Sequence, residues 1–303
     1  MTALTTPNDF TTTTNLLRSF FTERGFLEVH TQSRLSILAA CEDPTTVTTF
    51  EYLGTIWPLP QTGQMWLEHE LLKDPLLTGV FCLSTSYRQE PNPIKGRHEL
   101  IFPMFEFESP GDFHDLLQLE SDLAVHLGFE NLNHASYENT QFPGGKYMDV
   151  VNRYNTPDNE LTATHERYLY DKYGDVFFLT HFPFHTSPFW NMKVSRDKWK
   201  VGGKDSMIPR EIEGDIAMKC DVILGGMETI GSAERSTNVD EMRSQFHTIS
   251  DGLYSKLLYD KFGKDRVEKE LEEFLSYDFF PRFGGGIGIT RLISALRHIA
   301  FLP

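Results

Sequence analysis

Three short stretches of this 303-residue chain carry residue types at spacings that suit phosphate or carboxylate chemistry. The first is Arg88-x-Glu90. Two residues apart on an extended strand, both side chains point the same way. An Arg fork matches a phosphate or a carboxylate, although a surface ion pair would use the same residues. The second is Asp221 with Glu228, on either side of Gly225-Gly226, a good two-residue turn. Turning there sets residue 223 opposite 228 and places 221 diagonally on the same face. Two carboxylates on one face suit Mg²⁺ carried on nucleotide phosphates; two solvated acids beside a turn are the plainer alternative. The third is Gly284-Gly285-Gly286-Ile287-Gly288, with Arg291 in the first turn of the helix that follows. Glycines admit a ligand close to the backbone, and a helix N-terminus favours anions. Arg291 there suits stacking on a base or meeting a phosphate. This run lacks the strand-first order and downstream acid of a dinucleotide site, and the Gly-Lys-Ser/Thr of a P-loop.

The elements that must position these residues follow from periodicity. Phe81, Leu83, Thr85 and Tyr87 alternate with Cys82, Ser84, Ser86, Arg88 and Glu90. Across the loop Pro91–Arg97, Ile101, Phe105 and Phe107 alternate with Phe102, Met104, Glu106 and Glu108. Period 2 on both sides of a Pro/Gly loop predicts an antiparallel hairpin. One face is core; the other carries an Arg, three carboxylates and an aromatic, more charge than a packing face holds. Helices are expected over Asn15–Gly25, Gln64–Lys73, Phe113–Leu127, Glu160–Tyr173, Glu268–Leu275 and Ile289–Ile299. Strands are expected over Phe26–Thr31, Val176–Thr180, Phe189–Lys193 and Asp215–Leu224. Strands in hairpins, without regular βαβ units, predict an α+β fold with a mostly antiparallel sheet flanked by helices, as a single domain over 1–303 with residues 1–14 as an N-terminal extension.

Composition bounds the function. Lys and Arg total 28 against 43 Asp and Glu, a net charge of −15. Such a chain is a poor generic binder of nucleic-acid backbones, and no Lys/Arg run supplies a basic patch. The 24 Phe residues point to an aromatic core. Cys41, Cys82 and Cys220 form no CxxC, which argues against a disulfide framework or zinc finger and for a reducing, cytoplasmic setting. The 11 His residues show no metal spacing; His165, His181 and His185 read as packing or surface residues. The polar, Thr-rich Met1–Thr14 is no signal peptide, and no apolar run approaches the ~18 residues of a membrane helix.

In order along the chain, these features resemble the catalytic domain of class II aminoacyl-tRNA synthetases, in the aspartyl/asparaginyl subgroup. Leu17–Thr31 (LRSFFTERGFLEVHT) is similar to motif 1, the dimer-interface helix and strand. Tyr87–Glu90 (YRQE) with Arg97–Glu108 (RHELIFPMFEFE) resembles motif 2, and Gly284–Leu292 (GGGIGITRL) motif 3. Asp221–Arg235 (DVILGGMETIGSAER) resembles the subgroup's strand pair, ending in Glu-x-x-Gly-x-x-x-Arg. Gln61–Glu68 (QTGQMWLE), Cys41-Glu42 and Thr180–Lys193 (THFPFHTSPFWNMK) lean to the asparaginyl side. Departures from the pattern are Gln32 for a Pro, Ile101 for a motif 2 Glu, Leu67 for the Lys of the aspartyl version, and Pro44 and Thr45 for glycines.

The resemblance implies roles. Arg88 would hold the substrate carboxylate and the α-phosphate of ATP. Glu90, Arg97 and His98 would contact the rest of ATP, with Gly286 and Gly288 lining its site. Phe102 would stack on adenine, with Arg291 on its other face. Asp221 and Glu228 would hold Mg²⁺. Glu42 and Gln64 would take the amino group, and Arg235 would read the side-chain carbonyl or carboxylate. The partners implied are a small amino acid, ATP and a second copy of the chain at the motif 1 segment. Motif 1 begins within the first 20 residues, which leaves no room for an anticodon-binding barrel and makes tRNA an unexpected partner. The leading expectation is an ammonia-dependent, asparagine synthetase-like amidation of aspartate through an acyl-adenylate. The alternatives are activation of asparagine, aspartate or an analogue for another acceptor, and a non-catalytic amino-acid or ATP-binding paralogue.

Overall fold

The computed structural model describes residues 5–31, 35–38, 46–93, 99–132, 135–154, 156, 160–186, 189–201 and 210–302. Its centre is a nine-stranded sheet. The strands are β1 (Leu27–Glu28), β4 (Val80–Tyr87), β5 (Ile101–Pro110), β6 (Gly144–Lys146), β7 (Val176–Pro183), β8 (Val194–Val201), β9 (Arg210–Leu224), β10 (Met227–Arg235) and β11 (Arg282–Gly288). They run in the order β1-β4-β5-β11-β10-β9-β7-β6, and β8 pairs with β9. Among the described residues only β1–β4 and β6–β7 pair in parallel. A separate hairpin joins β2 (Thr49–Tyr52) to β3 (Thr55–Pro58). The fold is α+β with a mostly antiparallel sheet.

The sheet's two faces have different tasks. Phe81, Phe105, Phe107, Cys220, Val222, Ile230, Phe283 and Ile287 share one buried core with α1 (Pro7–Glu23), α3 (Phe113–His126) and α9 (Ile289–His298). Phe81 stacks on Phe105 at 5.0 Å, and the Phe21 ring lies 5.1 Å from Phe105. Much of the Phe-rich composition lies in this core. The opposite face carries Met104, Glu106 and Glu108 from β5 and Lys219 and Asp221 from β9, and it is walled by α2 (Gln64–Lys73). Alternation along each strand keeps the two sets apart.

The hairpin expected over 81–108 forms, with Leu83 opposite Phe105 and Tyr87 opposite Ile101. Ile101 is not core, however: it lies at the hairpin's loop end and is exposed. The first helix begins at Pro7, not at residue 15. Thr6 caps it through its hydroxyl, and proline at its start is pre-set for helical φ. Thr13 and Thr14 of the Thr run are therefore buried helix residues. The strand expected over 26–31 shrinks to Leu27–Glu28. Residues 189–193 form no strand; a single bridge joins Met192 to Arg235, and Phe189 and Trp190 are buried in a side core.

The glycine run is also corrected, because Gly284–Gly288 is strand β11 and leads directly into α9. A Cβ on Gly284 would lie 2.1 Å from the Glu108 carboxylate and 2.4 Å from the Phe107 carbonyl. Gly284→Ala should therefore cost about 1–3 kcal/mol by overpacking. Urea unfolding checks this: a lowered midpoint at unchanged slope is expected.

Candidate active site

The polar face of the sheet floors a cavity of about 630 Å³. Ten of the residues singled out from sequence line it: Gln64, Arg88, Glu90, Phe102, Asp221, Glu228, Arg235, Gly286, Gly288 and Arg291. Glu42, Arg97 and His98 lie outside the described residues, as do Gln32, Cys41, Pro44 and Thr45.

Arg88 follows the end of β4, where its N–H continues the ladder to the Leu100 carbonyl at 2.8 Å. Its guanidinium lies 5.4 Å from the Phe102 ring centre and 4.0 Å from Glu90. Its Nε is buried and makes no hydrogen bond among the described residues. A buried donor without a partner is costly, so this geometry suits an incoming acceptor.

Gly225 and Gly226 both adopt positive φ, at 58° and 82°, the conformation of a tight hairpin turn. Ile223 faces Glu228 as expected. A bulge between Glu228 and Ile230 then shifts the register, so that Asp221 pairs with Gly231. A Cβ on Gly231 would sit 3.6 Å from Asp221 Oδ1 and 3.7 Å from Glu228 Oε1. The two carboxylates thus converge on a cleft that the missing side chain keeps open. Among the described residues no group of three or more His, Cys, Asp or Glu gathers as a metal cage. A pair of carboxylates completed by phosphate oxygens and water is the usual way of holding Mg²⁺, so this donor set fits that ion. Arg291 donates to the Glu228 carbonyl at 2.8 Å and stands 3.8 Å from its carboxylate.

The deep end joins Gln64 and Arg235 to residues that were given no role from the sequence. Arg235 grips Glu108 with Nη2 and Nε at 2.6 and 3.2 Å. Arg282 grips Glu68 with Nη2 and Nε at 2.6 and 3.0 Å. Gln64 and Asn191 donate to the other Glu68 oxygen at 2.8 and 2.7 Å. Glu106 accepts from the Gly63 N–H at 2.8 Å and from the Thr62 and Ser84 hydroxyls. All three glutamates and both arginines are almost fully buried. Burial pushes Glu108 up to about 7, against the pull of Arg235 and with the help of repulsion from Glu68. Burial also pushes Glu68 up, but Arg282 and Arg235 outweigh it and hold the group below its usual range. The difference is one of partners, since Glu68 faces two guanidinium groups and Glu108 grips one. Burial raises Glu106 despite its three donors. Glu106 and Glu108 were visible in the hairpin's alternation as excess charge. Glu68, Arg282 and Lys219 gave no comparable signal.

Comparison with known proteins decides the family. The family model for class II tRNA synthetases (D, K and N) matches residues 9–300. The chain belongs to this family. Asparagine–tRNA ligase of Pyrococcus abyssi is 23% identical over 301 residues, covering 91% of this chain and 61% of that protein. Aspartate–tRNA(Asp) ligase of Pyrobaculum aerophilum is 23% identical over 325 residues, covering 97% and 66%. Asparaginyl-tRNA synthetase from Pyrococcus horikoshii, solved with asparaginyl-adenylate, superposes with a TM-score of 0.68 at 20% identity, over 95% of this chain and 64% of that one. The Entamoeba histolytica asparaginyl-tRNA synthetase, also with asparaginyl-adenylate, gives 0.67 at 20% identity over 95% and 63%. The chain spans roughly three-fifths of the length of such relatives. The fold is thus that of the class II catalytic domain. No helix among the described residues is long and apolar enough to cross a membrane.

In this class II synthetase fold the buried charges bear on stability. Glu68→Ala should destabilise by about 3–5 kcal/mol, because it strands Arg282 and half-strands Arg235. Chemical denaturation measures it, and a loss below about 1 kcal/mol would contradict the pairing.

Proposed function

We propose that this protein activates the carboxylate of an aspartate- or asparagine-type amino acid as an acyl-adenylate, consuming ATP and releasing pyrophosphate. One observation carries the reading: a single cavity gathers Arg88, Phe102, Asp221, Glu228, Arg235 and Arg291 on one sheet face. Adenine would lie between Phe102 and Arg291. A carboxylate oxygen attacks the α-phosphorus, and the bond to the bridging oxygen of pyrophosphate breaks. Arg88 neutralises the charge that builds on the α-phosphoryl oxygens, and its buried Nε supplies a donor at that point. Glu90 orients Arg88 from 4.0 Å. Asp221 and Glu228 would hold Mg²⁺, which supplies Lewis-acid charge to the phosphates. Gln64, at the mouth of the deep end, would meet the amino group. Glu42, Arg97 and His98 keep the roles expected from motif order, as part of this proposal.

For the acceptor we favour ammonia, which attacks the acyl carbon and expels AMP to leave an amide. The net charge of −15 disfavours a polyanionic acceptor, and ammonia needs no docking surface. The site also answers the absence of a cation at Leu67. A proton on Glu108 frees Arg235 from its partner and makes the deep end more positive by one charge, enough to admit a carboxylate. The second reading, activation of asparagine, is favoured by the same site with Glu108 ionised, where a neutral amide suits the balanced charges. The reading includes a homodimer through α1 and the edge strand β1, whose Leu27 is exposed.

Three outcomes test this. Arg88→Ala should lower ATP–pyrophosphate exchange by roughly 10²–10³-fold with the fold intact; near-normal exchange would sink the reading. With MgATP, aspartate and ammonia, AMP and amide should appear together, whereas exchange without amide favours the second acceptor reading. The pH dependence is the third outcome. Glu108 is raised to about 7, so it is mostly protonated at pH 6 and mostly ionised at pH 8. Aspartate affinity relative to asparagine should therefore rise about tenfold from pH 8 to pH 6. Equilibrium binding at the two pH values checks the sign, and Glu108→Gln should abolish the trend.

A further inference from the structure

Lys219 lies on the cavity wall beside the acid pair, and the expected roles do not include it. It precedes Asp221 by two residues on β9, so both side chains rise from the same face. Its Nζ lies 3.4 Å from Asp221 Oδ2, and both side chains are nearly buried, at 13% and 10% exposure. The ammonium also sits 4.4 Å from the centre of the Phe182 ring.

Phe182 reaches that position through a backbone irregularity. In β7, Phe178 belongs to the aromatic core under the sheet, whereas Phe177 and Leu179 pack on the opposite face with Ile223. Strict alternation would put Phe182 on the same face as Phe178. A bulge between Thr180 and Phe182 breaks the alternation, with His181 at φ 58°. Phe182 thereby joins Leu179 and Ile223 on the cavity face, under Lys219. Positive φ at a non-glycine residue is strained, and bulges often re-aim a side chain beside a site. Here the bulge supplies the aromatic face on which the ammonium rests.

The cleft over Gly231 then contains two acids and two cations. Lys219 attends Asp221 at 3.4 Å, and Arg291 attends Glu228 at 3.8 Å. We propose that Lys219 is a resident phosphate-binding cation that balances the acid pair in the empty enzyme and moves onto the outer phosphates of the nucleotide when it enters. This rests on the activation reading and deepens it. Such a cleft has little attraction for a free divalent ion, because the two nearby positive charges offset the two carboxylates. It accepts the metal–nucleotide complex, whose phosphates take over Lys219 while its adenine draws Arg291 away from Glu228, and both carboxylates are released to the ion. It also gives metal-free ATP a foothold.

The test uses the full chain and two titrations that do not read turnover. One follows free Mn²⁺ by electron paramagnetic resonance without nucleotide; the other follows ATP in EDTA by calorimetry. Lys219→Met keeps the stem over Phe182 and removes the charge, Lys219→Gln is a second neutral variant, and Lys219→Arg restores the charge. Thermal melts verify folding, and the neutral variant that melts like the wild type is the one scored. The neutral variant should bind Mn²⁺ about tenfold more tightly and metal-free ATP about tenfold more weakly than the wild type, and Lys219→Arg should behave like the wild type. If wild type binds MgATP but the neutral variants match it in both titrations, the role of Lys219 is overturned and activation stands. If wild type binds no MgATP, both fall.

Discussion

The structure depends on four charges buried together. Glu68, Glu108, Arg235 and Arg282 come from α2, β5, β10 and β11, which are far apart in sequence. Each is almost wholly removed from water, and an isolated ion in that position would cost several kcal/mol even after relaxation. The cost is tolerable only when the guanidinium and carboxylate groups meet in good geometry. Arg235 pairs across the ladder with Arg282, and Gly284 with Glu108. A slip of one residue in either ladder would turn these charges to the aromatic side of the sheet, so pairing the ions and fixing the strand register are one constraint. It closes the deep end of the cavity and holds Gln64 at its mouth.

From that anchor the sheet's alternation does the rest, except at two bulges. Alternation assigns Phe105 and Phe107 to the core and Met104, Glu106 and Glu108 to the cavity. On the cavity face β11 presents Arg282 at its start and then only Gly284, Gly286 and Gly288, so side chains from β5 lie across it; the Met104 methyl occupies the space a Cβ on Gly286 would need. The bulge after Glu228 sets Gly231 opposite Asp221 and opens the acid cleft. The bulge at His181 re-aims Phe182 under Lys219. Both irregularities border the place where the phosphates would lie.

Much of this was legible in the sequence because it is local. Alternation of polar and aromatic residues over 81–108 reveals the hairpin and its charged face. Gly225-Gly226 reveals a turn, and that turn brings Asp221 and Glu228 together. Motif order adds the family. What stayed hidden is non-local or lacks a sequence signal. No feature of 228–230 or 180–182 announces a bulge, and so neither the Gly231 cleft nor the Lys219–Phe182 contact was foreseen. Glu68 and Arg282 are 214 positions apart, and their pairing emerges only when α2 packs against the start of β11. Phe189–Lys193 alternates like a strand, but tertiary packing overrides that pattern: Trp190 is drawn into a side core against Phe246 and Phe274.

The cavity's charges explain how so acidic a chain can suit a polyanion. Arg88, Lys219, Arg235, Arg291 and Arg297 face Glu90, Glu99, Glu106, Glu108, Asp221 and Glu228 around one space. These charges are largely answered in place. Arg88 lies by Glu90, Lys219 by Asp221, Arg235 by Glu108 and Arg291 by Glu228. Arg297 is turned to Asp9 at the start of α1. A wall of matched pairs exerts little long-range attraction, so the field of the whole chain would repel a nucleotide until it enters. Once inside, each pair can exchange its internal partner for a ligand group without exposing an uncompensated charge, and that exchange costs less than bringing fresh ions out of water. Specificity then falls to the ligand that can satisfy both members of every pair it opens. Phosphates answer the cations, and a metal ion answers the acids they release. A nucleotide without metal satisfies half the exchange, as does a metal without nucleotide, and so under the activation reading the cavity is built for the two together.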